Sequence, residues 1–405
     1  MMKKRFNILL LATLAIMAGF TSCGNDDDFT ASIFDINDYP LDRTQYSFPL
    51  DTFLKVNYLE PYNVSFIYRM EDVGSDMDKN LTPAAYDKSV DLAVLSKYLW
   101  YEVYEKYGTA EFLKKNSPRI IHVIGSKSYN PSQGTETLGV AEGGLKITLY
   151  NVNRLEPSDI DYMNEYFFKT MHHEFGHILD QTILRPTAFN LLSNSSYDAS
   201  TWSDTPDSVA AGRGFVSPYA SSAAGEDWVE TLANYVTMDT LTWERLMGAA
   251  AYEWELIDCD SYSDYVKRAA GAESLDTVGY YKASTSGSDN KIYRRVCKRN
   301  ADDTVALDEN GQVQWLHNSG IDGVAIINQK LTYVREWLKT NWNINLNDLR
   351  HEVQKRQFVT NPDGSFVYNK NGLLINKLTY PSDSDPSKTL IEVLRDGVNQ
   401  YKSLQ

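Results

Sequence analysis

The sequence predicts an α+β fold, with a small mixed sheet and a long helix, followed by a helix-rich C-terminal part. Three observations support this prediction. Residues 83–115 repeat apolar side chains at helical spacing, residues 119–125 form a compact apolar run of strand length, and residues 157–183 form a second, longer helical pattern. Few strands among many helices are typical of a mixed fold rather than of a barrel or a bundle.

The N-terminal half contributes the predicted strands. Residues 53–66 are predicted as a strand-like piece, because apolar and aromatic side chains such as Val56 and Tyr58 alternate with others. Residues 119–125 follow the helices of residues 83–115 and predict a buried strand. Residues 145–150 alternate apolar and polar side chains, which is typical of a strand with one exposed face.

A long helix is predicted from Ser158, its N-cap, to about Ile183, and Pro186 ends it. Asp159 near its start favours the positive end of the helix dipole. Residues 187–216 follow, rich in Ser, Asn, Asp and Gly. They are predicted to form a long loop that shapes a cleft, since loops of this length in compact domains are often functional.

The C-terminal part contains further helical patterns, over residues 240–257, 323–338 and 387–401. Residues 361–364 carry the turn chemistry of a hairpin loop. We identify no internal repeat and no internal domain boundary. Residues 46–405 are therefore predicted to form one domain.

The N-terminus predicts a secreted and anchored protein. Residues 1–22 combine a basic start with a short apolar run, which indicates a signal peptide rather than a membrane span. Cys23 follows directly and resembles the lipidated cysteine of a bacterial lipoprotein box. The acidic residues 25–28 resemble the signal that sends Bacteroidota lipoproteins to the outer face of the outer membrane, although a solvated spacer has the same composition. Residues 23–45 are predicted to be a tether.

Charge and cysteine content limit the possible partners. The formal charge of −15 argues against nucleic-acid binding, which requires basic clusters. It also gives little support for adhesion to an anionic membrane surface, so the lipid is expected to supply the anchor. Cys259 and Cys297 either pair in an oxidising compartment or remain two buried thiols, and their spacing favours neither alternative.

The segment His173-Glu174-Phe175-Gly176-His177 is an H-E-x-x-H motif inside the predicted long helix. Residues four apart share a helix face, so the rings of His173 and His177 can point at one atom. Two converging imidazoles are typical zinc ligands, and the carboxylate of Glu174 beside them can accept a proton from water activated by the metal. The motif predicts a zinc hydrolase, most often a peptidase.

A third ligand is required, because catalytic zinc usually has three protein ligands and one open position. The later histidine that some zinc peptidases use is absent, since Ile183 occupies its position. Glu226 and Glu230 lie four apart on a predicted helix, so one could bind the metal while the other accepts the outer N–H of a ligand histidine. Asp227 competes for the ligand role, and Asp180 could orient a ligand or lie in water.

These residues resemble a gluzincin-type group of peptidases. The pattern H-E-F-G-H-x-x-D, then S-x-Y, then E-x-x-x-E on a helix, is similar to that of the anthrax lethal factor catalytic domain. It is also similar to that of the zinc-binding metallopeptidase lipoproteins of Bacteroidota, which are substrate import-associated zinc metallohydrolases. The resemblance implies a zincin-like fold with a metal-binding active-site helix and one Zn²⁺ ion per chain. It further implies Glu226 as third ligand, Glu230 as the support of a ligand histidine, and a catalytic Tyr219 facing the site.

The resemblance has further implications for the substrate. In zincins the last strand before the metal-binding helix is commonly an edge that pairs with an extended peptide, although residues 145–150 equally fit an ordinary meander strand. The family implies cleavage of a peptide or glycoprotein in association with TonB-dependent import, with a transporter and other surface lipoproteins as partners. The alternative is a non-catalytic substrate-binding lipoprotein with a zinc-stabilised fold. Glu174 argues against it, because a structural zinc site needs no base.

Overall fold

The structure is a computed structural model that describes residues 41–70, 81–130, 135–137, 139–142, 145–257, 277–282 and 291–405. The predicted signal peptide, Cys23 and most of the predicted tether lie outside the described residues. Cys297 is buried, whereas its candidate partner Cys259 is also outside them, so the disulfide stays a prediction.

A four-stranded sheet supports the helix that carries the motif. The strands of the described chain are β1 (Ser65–Ile67), β2 (Ile120–Val123), β3 (Ser128–Asn130), β4 (Thr135–Thr137), β5 (Gly139–Glu142), β6 (Lys146–Leu149), β7 (Trp254–Ile257), β8 (Thr277–Lys282) and β9 (Lys291–Arg295). The main sheet has the order β1-β2-β6-β5, in which β1, β2 and β6 are parallel and β5 is antiparallel to β6. β3 pairs with β4, and β7-β9-β8 form a second small sheet.

The strand predicted over residues 145–150 is internal, which corrects its interpretation as a sheet edge. β6 is hydrogen-bonded to β2 on one side and to β5 on the other, so β5 is the edge strand. Ile147, Thr148 and Leu149 are all buried, so the predicted exposed face is also wrong. The sequence of β6 alone does not show that β5 folds back onto it as a hairpin partner.

The helices of the described chain form most of its core. They are α1 (Phe48–Leu54), α2 (Tyr86–Ser96), α3 (Glu102–Tyr107), α4 (Ala110–Asn116), α5 (Ile160–Met163), α6 (Lys169–Thr182), α7 (Thr187–Leu191), α8 (Asp207–Gly212), α9 (Ala224–Thr237), α10 (Thr240–Ala250), α11 (Gly323–Trp342), α12 (Leu346–Gln357) and α13 (Leu390–Asn399). Single π-helical turns join α1 to Glu60–Tyr62, α2 to α3, and α5 to α6. Among the described residues, no helix has the length and apolar character that crossing a bilayer requires.

The strand-like piece predicted at residues 53–66 is mostly helical. Leu50, Phe53, Leu54 and Tyr58 are all buried and follow the spacing of one helix face, so the apolar pattern has helical periodicity. Only its last residues belong to strand β1. The helix predicted over residues 240–257 ends at Ala250, because β7 pairs with the distant strand β9. The helices predicted near residues 83–115, 323–338 and 387–401 are present.

The helix carrying the motif begins one residue later than predicted. Asp159, not Ser158, is its N-cap, and the Asp159 carboxylate accepts the backbone N–H of Tyr162 at 2.9 Å. The helix continues through α6 to Thr182, close to the predicted end.

Residues 187–216 are not a structureless loop, since they contain α7, the 3₁₀ turn Trp202–Asp204 and α8.

Helices α6 and α9 pack side by side, which brings the motif to the carboxylates. Gly176 allows this approach, because a Cβ atom at Gly176 would lie only 2.9 Å from Val229 Cγ1 on α9. A larger residue would push the helices apart. Helices α11 and α12 also pack against α9, so the C-terminal part supports the helix that carries Glu226.

The C-terminal part contains an internal repeat that we did not identify in the sequence. Residues 300–313 and 361–374 share the pattern N-x-D-x-(T/S), then N-G, and both form two consecutive turns closed by isolated β-bridges. Asp302 and Asp363 each accept from a hydroxyl two residues later at 2.6 Å. Gly311 and Gly372 have φ values of 73° and 74°. The residues that are identical in both segments are turn formers, and the apolar residues between them differ in type, so the repeat is easily missed in the sequence.

Candidate metal centre

Three side chains converge where α6 faces the first turns of α9. His173 Nε2 lies 3.2 Å from Glu226 Oε2, and His177 Nε2 lies 3.4 Å from the same oxygen. The candidate ligand atoms of these three residues all lie within 4.8 Å of one another. One turn of α6 separates the two histidines, as their spacing predicts. Packing between the helices, rather than sequence proximity, adds Glu226.

The three acidic side chains that compete for the third position have different contacts. Only Glu226 faces the Nε2 atoms of both histidines. Glu230 lies on the other side of His173, with Oε1 2.7 Å from Nδ1. Asp227 is fully buried and pairs with Lys330. The placement therefore corresponds to Glu226 as ligand and Glu230 as support.

Glu230 is itself held by two hydrogen bonds. Ser217 Oγ donates to Glu230 Oε2 at 2.6 Å, and Asn234 Nδ2 donates to the same oxygen at 3.0 Å. Burial raises the pKa of Glu230, but the hydrogen bond from His173 opposes it, and the pKa is lowered to about 2. An ionised Glu230 keeps the Nδ1 proton of His173 on its side and leaves Nε2 for the cluster. We did not predict roles for Ser217 or Asn234, although Asn234 follows Glu230 by one helical turn.

The histidine and carboxylate groups are electrostatically linked. Burial lowers the pKa of His173, but the nearby carboxylates of Glu226 and Glu230 oppose this and raise it to about 10. Burial also works against ionisation of Glu226, yet the nearby imidazoles of His173 and His177 hold its pKa well below the usual range. The same nitrogen and oxygen lone pairs that bind a proton strongly can also bind a metal cation. Protons and metal therefore compete for the side chains of His173 and Glu226.

Glu174 lies beside the cluster without taking part in it. Its side chain is buried, and burial raises its pKa while His173 and His177 oppose the increase. A carboxylate with a raised pKa is a better proton acceptor than an exposed one. Glu174 and His173 both line a cavity, so water and substrate can reach the carboxylate.

Tyr219 covers one side of the cluster. Its ring stacks on His173, with centroids 5.9 Å apart and planes at 26°, and Trp202 packs edge-on against it. The side chain is 38% exposed. Burial and the nearby Glu226 carboxylate raise the pKa of Tyr219, so the hydroxyl stays protonated and can donate a hydrogen bond.

A cavity of about 1040 Å³ extends from Glu174 along the motif helix. Its walls come from α6, the turn Trp202–Asp204, the start of α8, residues 216–219, α9 and α10. The predicted cleft-shaping segment therefore contributes one wall. The charged residues in the lining are Glu165, Lys169, Glu174, Asp207, Glu230 and Arg245. A cavity of this size and polarity suits a peptide better than a small apolar ligand.

Asp180 and His172 have structural environments. Asp180 accepts the backbone N–H of Arg185 at 2.7 Å and pairs with its guanidinium, so it neither orients a ligand nor lies in water. This contact ties the end of α6 to the next segment. His172 is fully buried on a different face of the helix from His173, with Nδ1 2.9 Å from the Tyr104 hydroxyl.

The residues of the cluster fit a zinc ion. Glu226 Oε2 is buried and has no hydrogen bond of good geometry among the described residues, although two imidazole nitrogens lie close to it. Two neutral imidazoles and one carboxylate are a known donor set for catalytic zinc, and three protein ligands leave the fourth position open.

Comparison with known proteins agrees with this donor set. Residues 43–347 match the model of a family described as "putative zinc-binding metallo-peptidase". The chain belongs to this family. A crystal structure described as a putative zinc-binding metallo-peptidase from Bacteroides caccae is 32% identical to the chain and has a TM-score of 0.53. The match covers 76% of this chain and 91% of that one. A comparison with curated proteins finds no match.

Membership in this metallopeptidase family confirms the family predicted from the motifs and agrees with the mixed α/β architecture. The family description names zinc, and the cluster of two histidines and one carboxylate is compatible with that metal. The predicted likeness to lethal factor, the lipid anchor and the association with import remain predictions.

Proposed function

We propose that the chain is a zinc metallopeptidase that cleaves peptide bonds, with one Zn²⁺ ion held by His173, His177 and Glu226. The observation that supports this most strongly is the position of Glu174. It lies next to a three-residue cluster suited to zinc and lines a cavity large enough for a peptide. A purely structural zinc site would have a fourth protein ligand and no open cavity beside it.

Glu174, Tyr219 and Glu230 have different roles in the proposed hydrolysis. A bound zinc ion would supply Lewis acidity and lower the pKa of water. Glu174 accepts the proton of the attacking water and later donates it to the leaving amine. Tyr219 donates a hydrogen bond to the oxygen that becomes negatively charged, and removing such a donor typically costs about 10²–10³-fold in rate. Glu230 fixes the ring of His173 throughout.

The test combines metal content with cleavage of a peptide library, for the wild type and for Glu174→Gln. We expect one zinc ion per chain in both proteins and cleavage only by the wild type, with a loss of about 10²–10⁴-fold in the variant because the general base is removed. Zinc in both proteins without any cleavage would favour the alternative of a substrate-binding lipoprotein. A wild type without zinc would overturn the proposal.

We further propose that the protein is anchored through Cys23 and faces the cell exterior, where it processes peptides or glycoproteins for TonB-dependent import. The signal-peptide pattern and the acidic residues after Cys23 support this placement. Cys23→Ala should release the protein from the membrane fraction, and continued membrane association would refute the lipid anchor. Protease added to intact cells should digest the wild type, whereas full protection would place it inside.

A further inference from the structure

A buried ammonium group on helix α11, in the C-terminal part of the chain, contacts two segments that carry residues of the metal centre. Lys330 is fully buried, and its Nζ lies 2.6 Å from Asp227 Oδ2, which is also fully buried. The same ammonium donates to the backbone carbonyl of Gly214 at 2.7 Å and lies 4.0 Å from the centre of the Phe215 ring. Nothing in the proposed hydrolysis uses this group.

Each partner of Lys330 lies next to residues of the metal centre. Asp227 directly follows Glu226 in the first turn of α9, and its Oδ2 also accepts from the Tyr197 hydroxyl at 2.9 Å. Gly214 begins the short segment that carries Ser217, which donates to Glu230, and Tyr219, which stacks on His173. One ammonium therefore joins the two segments that supply every site residue outside the motif helix.

The backbone around Gly214 is fitted closely to the same helix. Gly214 has a φ of 86°, and a Cβ atom there would lie 2.5 Å from Ile326 Cγ2, one helical turn before Lys330 on α11. Trp337, further along α11, packs edge-on against Trp228 of α9 with ring centroids 5.1 Å apart. Helix α11 thus fixes both segments by shape, and Lys330 adds an ion pair with Asp227 of α9.

A buried ion pair such as Lys330–Asp227 usually adds little to the free energy of unfolding. Removing two charges from water is costly, and apolar residues of similar volume often stabilise as well or better. A buried pair is better suited to fixing one arrangement of its neighbours, because an ammonium bound to both a carboxylate and a carbonyl tolerates little displacement.

We propose that Lys330 is a positioning residue for the metal centre. By binding Asp227 and Gly214 together, it holds the first turn of α9 and residues 214–219 at a fixed separation. This places Glu226 against His173 and His177, and Tyr219 over His173. The inference rests on the proposed zinc site but concerns metal affinity rather than turnover.

The test compares Lys330→Met with Asp91→Asn in the full chain. Asp91 is also buried and paired, with Arg395 at 2.6 Å, but it joins α2 to α13 and has no contact with the metal centre. Zinc affinity is measured by competition with a chromophoric chelator, the site geometry by the absorption spectrum of the Co²⁺-loaded protein, and stability by urea unfolding of the metal-free chain. We expect Lys330→Met to weaken zinc binding about 10–100-fold, as loss of a ligand's support does, and to change the Co²⁺ spectrum. Asp91→Asn should lower the urea midpoint without changing either property.

The double variant Asp227→Asn with Lys330→Met separates positioning from general destabilisation. It leaves no buried charge unpaired, so the urea midpoint should recover, while zinc affinity stays low because the bond to Gly214 is still missing. If Lys330→Met alone does not fold, zinc affinity and the Co²⁺ spectrum are measured on the double variant instead. Wild-type zinc affinity in the double variant, or an unchanged affinity and spectrum in Lys330→Met, would overturn the inference. If the wild type binds zinc but cleaves nothing, only the proposed peptidase activity fails.

Discussion

Two different faces of the motif helix carry the adjacent histidines His172 and His173 in contrasting environments. On the core face, His172 is buried against Trp100 and Tyr104, and burial lowers its pKa to about 3. On the site face, burial acts in the same direction on His173, but two carboxylates outweigh it and raise its pKa to about 10. The helix backbone and the side-chain type are the same on both faces.

The difference shows that a histidine becomes a candidate ligand through its neighbours. The core face meets aromatic rings that add no charge, so a neutral imidazole is the stable form there. The site face meets Glu226 and Glu230 on α9, which favour a positive charge, whether a proton or a metal ion. The core face should therefore determine stability, and the site face metal affinity.

The largest expected effect belongs to the core face. Phe175 is fully buried, and its ring packs edge-on against Trp100 at 4.9 Å and Tyr104 at 5.0 Å. Phe175→Ala should lower the free energy of unfolding by about 3–5 kcal/mol because it leaves a cavity. Urea unfolding measures this loss. Zinc affinity of the folded variant should stay unchanged, and a parallel decrease would show that the two faces are not separable.

An intermediate effect is expected on the site face from Glu230→Gln. The change keeps the size of the side chain and removes the charge that orients His173, so zinc affinity should decrease about 10–100-fold. Chelator competition measures it. Glu165→Gln is a matched control, since Glu165 lies about two turns before His173 in the same continuous helix and its carboxylate pairs with Lys169. Equal affinities for the two variants would contradict the role of Glu230.

A smaller effect should appear as a pH dependence caused by His172. Its folded pKa is about 3, below the value of 6.5 expected for the unfolded chain, so the unfolded state binds the extra proton. Its contribution to stability is complete above pH 6.5 and is lost as the pH decreases from there towards 3. Between about pH 7 and pH 5 this should amount to roughly 1–2 kcal/mol.

The measurement for His172 compares urea midpoints of the wild type and His172→Phe over this pH range. The variant should lose less stability than the wild type as the pH decreases, since the titrating group is gone. All other titrating groups, including His173, are common to both proteins. Parallel pH profiles would show that His172 does not resist protonation in the folded state.

Local sequence patterns correctly predicted the helices and strands whose type does not depend on pairing with a distant segment. The motif helix, the buried strand β2 and helix α11 follow from periodicity, because each contains its own apolar stripe or run. The errors lie where a distant partner decides. Residues 254–257 form a strand only because β9 pairs with them, and β6 is internal only because β5 covers its edge.

The sequence by itself determined the helix that carries the motif and the shared face of His173 and His177, because both depend on residues within a few turns of one another. It also determined the family, through two motifs that keep a characteristic spacing along the chain. The resemblance also pointed to Glu226, Glu230 and Tyr219. Only the tertiary structure decided which carboxylate meets which nitrogen, since that depends on how closely α9 approaches α6 at Gly176. It alone also brought Lys330 to Asp227, because no local pattern specifies a contact between residues so far apart in sequence.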